Sequence, residues 1–480
     1  MNPLNINMEN KMNSFVNAVV NQDARTENGM KARKSTASAC VDLFFKAGAM
    51  RGQNIVPAFT AAYVEDKNIA LRIAAWLRDA RGGAGERQLF RAILTHLEKT
   101  DTDAALALMN KVPELGRWDD LLVVTGPALK TEAYAMILKA LNEGDGLCAK
   151  WMPRKGLVAN ELRNAFGWTP KFYRKRLVEL TKVVESQMCA KDWDNINFSH
   201  VPSLAAARYK KAFNRNTTKF AEYVAKLVKG DDPTVKVNAG AVFPYDVLKG
   251  ISSYGMNYSK TELDHIVAQW EALPNYVGDA SILPMVDVSG SMVQSVGGTK
   301  TTAMDVAVSL GLYLADKNTG SFKDTFLTFS ETPELLNLKG NVVQKMNQMV
   351  KSKWGMNTNL IRAIGRVLEV AKDGNVPQED MPKMLLIMSD MQFDHCARFD
   401  DSALQTIARQ YEAAGYEVPK VVFWNIAARD NVPVKYDTRG VAMVSGFSPS
   451  IVKSVLDADL DNFTPEGIML KTVMQDRYAV

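Results

Sequence analysis

The stretch Ile282-Leu283-Pro284-Met285-Val286-Asp287-Val288-Ser289-Gly290-Ser291-Met292 decides the fold of this chain. Its apolar run, Ile282 to Val286, reads as a parallel strand buried on both faces. The run leads straight into Asp-x-Ser-x-Ser. One carboxylate and two hydroxyls spaced two apart can converge their oxygens on a hard divalent cation, with Mg2+ the expected ion, and Gly290 lets the backbone turn tightly around it. The open coordination position would then take an acidic group from a protein partner.

Two more pieces stand at suitable places along the chain. Thr358 sits in the Gly-containing loop Trp354-Gly355-Met356-Asn357-Thr358-Asn359, just before a helix-like stretch, and Asp390 closes the apolar run Met384 to Ser389. In an open α/β sheet, ligands bind outside the carboxyl ends of the strands at the switch point. The candidate metal ligands are therefore Asp287, Ser289, Ser291, Thr358 and Asp390. Together they resemble the metal-ion-dependent adhesion site of a von Willebrand factor A domain. Strand-like and helix-like segments alternate around them: helix at 302–317, strand at 325–329, helix at 360–371, helix at 404–414 and strand at 421–426. Such alternation predicts a doubly wound parallel sheet for residues 281–480. A nucleotide-binding Rossmann reading is weaker, because no G-x-G-x-x-G follows the first strand.

The first 280 residues have another texture. Apolar residues recur at helical intervals, as in Ile69, Ile73, Trp76 and Leu77, then Leu89, Phe90, Ile93, Leu94 and Leu97, then Tyr134, Ile137, Leu138 and Leu141. Turn signals such as Gly82-Gly83, Gly116 and Gly144-Asp145-Gly146 cut the pattern into helices of ordinary length. Residues 1–280 are thus expected to form an α-helical array of degenerate repeats. At 480 residues, 47% hydrophobic and 23% charged, the chain has the composition of a folded soluble protein. No apolar run is long enough to span a bilayer and no signal-peptide core opens the sequence, so no membrane partner and a cytoplasmic location are expected. The four cysteines, Cys40, Cys148, Cys189 and Cys396, lie far apart, which suggests neither a zinc site nor a disulfide framework.

Charge is localised. Residues 146–226 carry 16 Lys and Arg against 6 Asp and Glu, a net +10, whereas the whole chain is only +5. One basic group is Lys150, Arg154 and Lys155; a second is Lys171, Arg174, Lys175 and Arg176. Arg208, Lys211, Arg215, Lys219 and Lys226 form a third, which falls on one face of a helix if that helix runs unbroken through residues 214–218. Rows of cations favour polyanions, since each phosphate neutralised releases condensed counterions. RNA is the expected partner of these groups, and Trp151, Tyr173 and Tyr209 are candidates to stack on unpaired bases, though each also suits a core.

Other chemistry is thin. The four histidines have no metal-ligand spacing, and no general base is placed beside the Asp-x-Ser-x-Ser loop, so a non-catalytic protein is expected. The glycine-rich segment Arg78-Asp79-Ala80-Arg81-Gly82-Gly83-Ala84-Gly85-Glu86-Arg87 lacks a Gly-Lys-Ser/Thr ending and reads as a structural turn whose charged residues pair across a helix corner. That segment belongs to a set with Gly116-Arg117-Trp118-Asp119-Asp120-Leu121, Asn197-Phe198-x-x-Val201-Pro202-Ser203, Ser389-Asp390-Met391-Gln392-Phe393-Asp394, Val422-Phe423-Trp424-Asn425 and Val444-Ser445-Gly446-Phe447-Ser448. The set resembles a TROVE-related family of proteins found in plants, bacteria and large viruses, related to the Ro ribonucleoprotein. The resemblance implies a ring of helical repeats that binds single-stranded or small structured RNA, with an A domain joining the ring's ends. Asn359 departs from it, standing where many related A domains have Asp. The reading reached from sequence is a Ro-like RNA-binding protein whose A domain holds a divalent metal for partner binding. The alternative is a metal-dependent protein-interaction scaffold without RNA.

Overall fold

The computed structural model describes residues 24–249, 251, 258–329, 333–351, 359–394, 403–429, 431–458 and 462–480. A two-stranded ribbon, β1 (Ala24–Arg25) with β2 (Lys31–Ala32), precedes the described helices. The main sheet comprises β3 (Ile282–Asp287), β4 (Thr325–Phe329), β5 (Leu335–Asn337), β6 (Met384–Ser389), β7 (Lys420–Asn425) and β8 (Val441–Ser445). Its order is β5-β4-β3-β6-β7-β8, parallel throughout except for the antiparallel edge β5. From β3 the chain steps outward to β4 and then returns to the other side of β3 for β6. The carboxyl ends of β3 and β6 are therefore the switch point, where the crossovers leave in opposite directions and open a crevice.

Both of these strands are buried along their whole length, which is why they read as unbroken apolar runs. Their register sets Val286 against Met388 and so brings Asp287 level with Ser389. Helix Ala303–Lys317 covers β3 and β4, started by a Thr302–Asp305 capping box. It approaches so closely that a Cβ on Gly311 would lie 2.3 Å from the Val286 side chain.

Helices Ala39–Ala47, Val56–Glu65, Lys67–Arg78, Arg87–Thr100, Thr102–Leu115 and Pro127–Asn142 pack on one another in succession, as the helical spacing predicts. Side chains of Ser38, Asp66 and Asp101 accept backbone N–H groups at three of their starts. One hydrophobic core runs from Cys40 to Tyr478, so the change of texture near residue 280 is not a break in packing. Helix Ala39–Ala47 lies on β8. Gly48 donates its N–H to Ser445 Oγ at 3.0 Å, Ser445 Oγ donates to Phe44 O at 2.8 Å, and Asn425 Nδ2 donates to Phe45 O at 3.2 Å. Any side chain at Gly48 would strike the Ser445 carbonyl at 2.4 Å.

At the far end of the array, helices Pro244–Leu248 and Lys260–Glu271 also reach the sheet domain, where Trp270 Nε1 donates to Asp316 at 2.8 Å. The two ends of the array meet at Phe447, whose ring lies 4.7 Å from the Arg51 guanidinium and 6.3 Å from the Tyr245 ring. The helical array thus closes back on the sheet domain, as the family resemblance implies. A separate small core around Phe198, Phe213 and Phe220 holds helices Ser203–Asn216 and Lys219–Lys229.

The C-terminus completes the exchange. Arg477 grips the fully buried Asp79 carboxylate at 2.5 and 2.9 Å, and the Tyr478 hydroxyl donates to the same group at 3.1 Å. Burial alone would raise Asp79, but Arg477 and the Arg81 and Gly82 N–H groups outweigh it and hold the carboxyl below its ordinary 3.8. A depressed carboxyl contributes stability above its unfolded pKa and loses it as pH falls through the folded value. Arg477→Ala is expected to lower unfolding stability by about 3 kcal/mol at pH 7, because it strands a buried charge. Urea unfolding at pH 7 and at pH 3 checks this, with the difference between wild type and variant shrinking in acid.

Candidate metal centre and nucleic-acid interface

At the switch point, Asp287 is fully buried. Its Oδ1 accepts the Ser289 N–H at 2.9 Å, and its Oδ2 accepts the Ser389 hydroxyl at 2.5 Å. The Ser289 and Ser291 Oγ atoms lie 3.0 Å apart. Asp390 is equally buried, its Oδ1 accepting the Gln392 N–H at 3.2 Å and its Oδ2 the Gln294 amide at 3.4 Å. The Ser291 hydroxyl also hydrogen-bonds to Asp390. Met391 turns through the left-handed region at φ 65°, which directs Asp390 inward while Ser389 Oγ accepts the Met391 N–H at 3.0 Å. Four of the five expected ligands therefore converge. Thr358, the fifth, lies outside the described residues. Asn359 caps helix Leu360–Asp373, its side chain accepting the Arg362 N–H at 2.8 Å, a role Asn fills as well as Asp.

The electrostatics fit a cation. Burial, then the neighbouring Asp390 carboxylate, pushes Asp287 up to about 7, and burial also raises Asp390. Two buried carboxylates repel unless positive charge lies between them, and the flanking hydroxyls complete an all-oxygen donor set suited to a hard ion. No group of three or more His, Cys, Asp or Glu able to hold a metal forms among the described residues. Any metal at the switch point would rest on two carboxylates and hydroxyls.

Sequence reasoning missed the N-terminal turn that packs beside this centre. Thr26 Oγ1 donates to Phe393 O at 2.5 Å, the Glu27 N–H to Gln392 Oε1 at 2.7 Å, and Asn28 Nδ2 to Gln392 O at 2.8 Å. The only advance signal was the Ser389-to-Asp394 motif itself, whose Gln392 and Phe393 supply these contacts. Among the cysteines, Cys40 and Cys148 are free and buried and Cys189 is free and exposed; Cys396 lies outside the described residues.

The basic residues divide by what they touch. Arg154 and Lys155 are exposed on the loop before helix Leu157–Ala165, and Lys171, Arg174 and Lys175 are exposed on helix Pro170–Leu180. The two groups adjoin, since the Tyr173 hydroxyl donates to Pro153 O at 2.9 Å. Arg176 instead donates to Leu141 O at 2.8 Å, serving the carboxyl end of helix Pro127–Asn142. Lys150 lies 5.3 Å from the Trp151 ring, whose face also carries the Arg117 guanidinium at 3.6 Å. The third group does not lie on one helix: Thr217 is extended and ends helix Ser203–Asn216, so Arg208, Lys211 and Arg215 stand on one helix and Lys219 and Lys226 on the next. Lys211 sits 4.3 Å from the Tyr258 ring, and Lys219 Nζ donates to Asp194 O at 2.9 Å. Tyr173 is buried and Tyr209 is half-buried, donating to Glu185. The exposed aromatic is Phe172, at 51%, which sequence reading did not single out.

The chain matches two families, each described as a domain of unknown function: DUF2828 over residues 26–115 and 159–283, and DUF7788 over residues 281–476. It is 30% identical over 513 residues to uncharacterized protein L728 of Acanthamoeba polyphaga mimivirus, a match spanning 93% of this chain and 86% of that protein. Among solved structures, the crystal structure of the Deinococcus radiodurans RO (RSR) protein aligns with 91% of this chain and 99% of its own, at 14% identity and a TM-score of 0.48.

Replacing Asp287 by Asn removes one of the two buried charges while keeping the shape of the side chain. In EDTA at pH 8, Asp287→Asn is expected to unfold at a higher temperature than the wild type, with Mg2+ no longer shifting its midpoint. Differential scanning calorimetry with and without Mg2+ checks both halves of this statement.

Proposed function

Since the chain belongs to the family of the mimivirus uncharacterized protein L728, we propose that this member is a non-catalytic RNA-binding protein with a divalent-metal site, Mg2+ by the chemistry of its oxygens, for docking a carboxylate-bearing protein partner. The observation that carries the RNA half is the surface shared by Arg154, Lys155, Lys171, Arg174 and Lys175 with exposed Phe172. Among the described residues these five cations form no ion pair, so their charge is available to phosphates. An exposed ring among them offers a face on which an unpaired base stacks. The resemblance of the chain's motifs to TROVE-related proteins supports the same reading. Arg208, Lys211 and Arg215 add exposed cations on another helix, Ser203–Asn216, while Arg176, already spent on helix-end carbonyls, and Lys219, on the Asp194 carbonyl, contribute less.

The metal half rests on Asp287, Ser289, Ser291 and Asp390. A cation there would offset the buried carboxylates and offer a coordination position to an acidic group. No helix among the described residues is long and apolar enough to cross a membrane.

Binding of a labelled single-stranded RNA across a salt series tests the RNA half. Wild-type affinity is expected to fall steeply with salt and to survive EDTA. The triple charge reversal Lys171→Glu, Arg174→Glu, Lys175→Glu is expected to weaken binding and reduce the slope of log affinity against log salt by about 2, at roughly 0.7 per phosphate contact on a single strand. An unchanged slope would remove this surface from the interface. EDTA-sensitive capture of an acidic protein with no RNA binding at low salt would favour the scaffold reading.

A further inference from the structure

The N-terminal turn brings a third carboxylate toward the metal centre. Glu27 Oε1 pairs with Arg429 Nη1 at 3.1 Å, and Arg429 Nη2 reaches Asp390 Oδ2 at 3.7 Å. Arg429 follows β7 between two anchored residues: the Ala428 carbonyl accepts Gln53 Nε2 at 3.2 Å, and the Asn431 side chain donates to Met391 O at 3.1 Å. Its Nε is buried with no hydrogen-bond partner among the described residues. An arginine that served mainly as a structural clamp would meet a carboxylate through two parallel N–H bonds. This one does not. Its guanidinium is drawn between two carboxylates and fully bonded to neither, which places its charge rather than its hydrogen bonds where it is needed.

We propose that Arg429 is a tethered cation that balances the buried Asp287–Asp390 pair in the metal-free protein, that Glu27 holds it at the rim, and that a divalent ion entering the centre displaces it. The proposal rests on the metal-centre reading and adds to it the residues that set the affinity. A divalent ion at the carboxylates and a guanidinium at 3.7 Å from one of them repel, so the ion binds only as Arg429 withdraws toward Glu27 and solvent. Of the groups packed against the Asp390 oxygens, Gln294, the Gln392 N–H and the Ser291 hydroxyl are neutral, which leaves Arg429 as the competing positive charge among the described residues.

The two partners of this ion pair then act with opposite signs. Arg429→Gln removes the competitor and strengthens metal binding. Glu27→Gln releases Arg429 to settle fully on Asp390 and weakens it. Because the Glu27 effect runs through Arg429, it is lost in the double variant, whereas a Glu27 carboxylate that ligated the metal directly would still matter there.

Isothermal titration of Mn2+ into the EDTA-stripped full chain tests this. Arg429→Gln is expected to bind Mn2+ roughly ten-fold more tightly than the wild type, Glu27→Gln several-fold more weakly, and the double variant like Arg429→Gln. The same titrations include Asp287→Ala, which is expected to bind none. Thermal unfolding supplies a second readout: Arg429→Gln should melt lower than the wild type in EDTA and recover with Mn2+. Equal Mn2+ affinity in the wild type and Arg429→Gln overturns the proposal while leaving the metal centre standing. Uptake of Mn2+ by neither protein overturns both.

Discussion

Everything else in this molecule depends on the packing of helix Ala39–Ala47 against β8. That contact joins the first helix among the described residues to the last strand of the sheet across roughly 400 residues, and it tolerates no side chain at Gly48, where the Ser445 carbonyl lies 2.4 Å from any Cβ. The C-terminal residues return the exchange by locking Arg477 and Tyr478 onto Asp79. Neither half can therefore finish burying its apolar surface without the other, and a single core runs through both. Contacts this distant in sequence form late, because loop closure must be met before they reward the chain. Once formed, they leave the helical array no free end: Arg51, near its start, and Tyr245, near its finish, both lie against Phe447.

The rigid frame is what lets two carboxylates share a dry crevice. Asp287 ends β3 and Asp390 immediately follows β6, adjacent parallel strands whose register is fixed by pairing from Ile282 with Met384 to Val286 with Met388. Neither group can move apart from the other without dislocating the centre of the sheet. The repulsion between them is thus stored by the fold, as happens where stability is given up for a ligand. The hydroxyl of Ser389 and the N–H of Ser289 lower the charge's desolvation without cancelling it, since Asp287 still stands well above the usual carboxylate range.

What was legible in the sequence is what local pattern controls. Strands β3, β4 and β6 were visible as short apolar runs, and the Asp-x-Ser-x-Ser loop was visible because its donors are neighbours along the chain. Strand β5 escaped notice: it is three residues long, largely exposed, and pairs antiparallel at an edge where burial leaves no pattern. Strand β8 escaped because five apolar and small residues between Gly440 and Gly446 are too few to separate from a turn. The N-terminal turn offered no periodicity at all, being held by side-chain and backbone bonds to residues more than 360 positions away. The condition for one continuous basic face, a helix unbroken through residues 214–218, is not met for a local reason, as Thr217 gives up helical geometry and its hydroxyl bonds to Asp194 at 2.6 Å.

The same distinction between pattern and partner governs the basic segment. Its net +10 over residues 146–226 counts cations without asking what each one touches. Lys210 is buried and donates to Ala207 O, and burial pushes it down to about 8, so it presents no ammonium group at the surface for a phosphate to meet. Arg176 and Lys219 are engaged with backbone carbonyls. Five exposed cations stand on the loop at 153–156 and on helix Pro170–Leu180, beside Phe172. A polyanion would feel that surface through screened, salt-dependent attraction, whereas a metal at the switch point acts through direct coordination inside a dry crevice. The two sites therefore respond to different perturbations even though one continuous core connects them, and the charge of Arg429 belongs to the second of them alone.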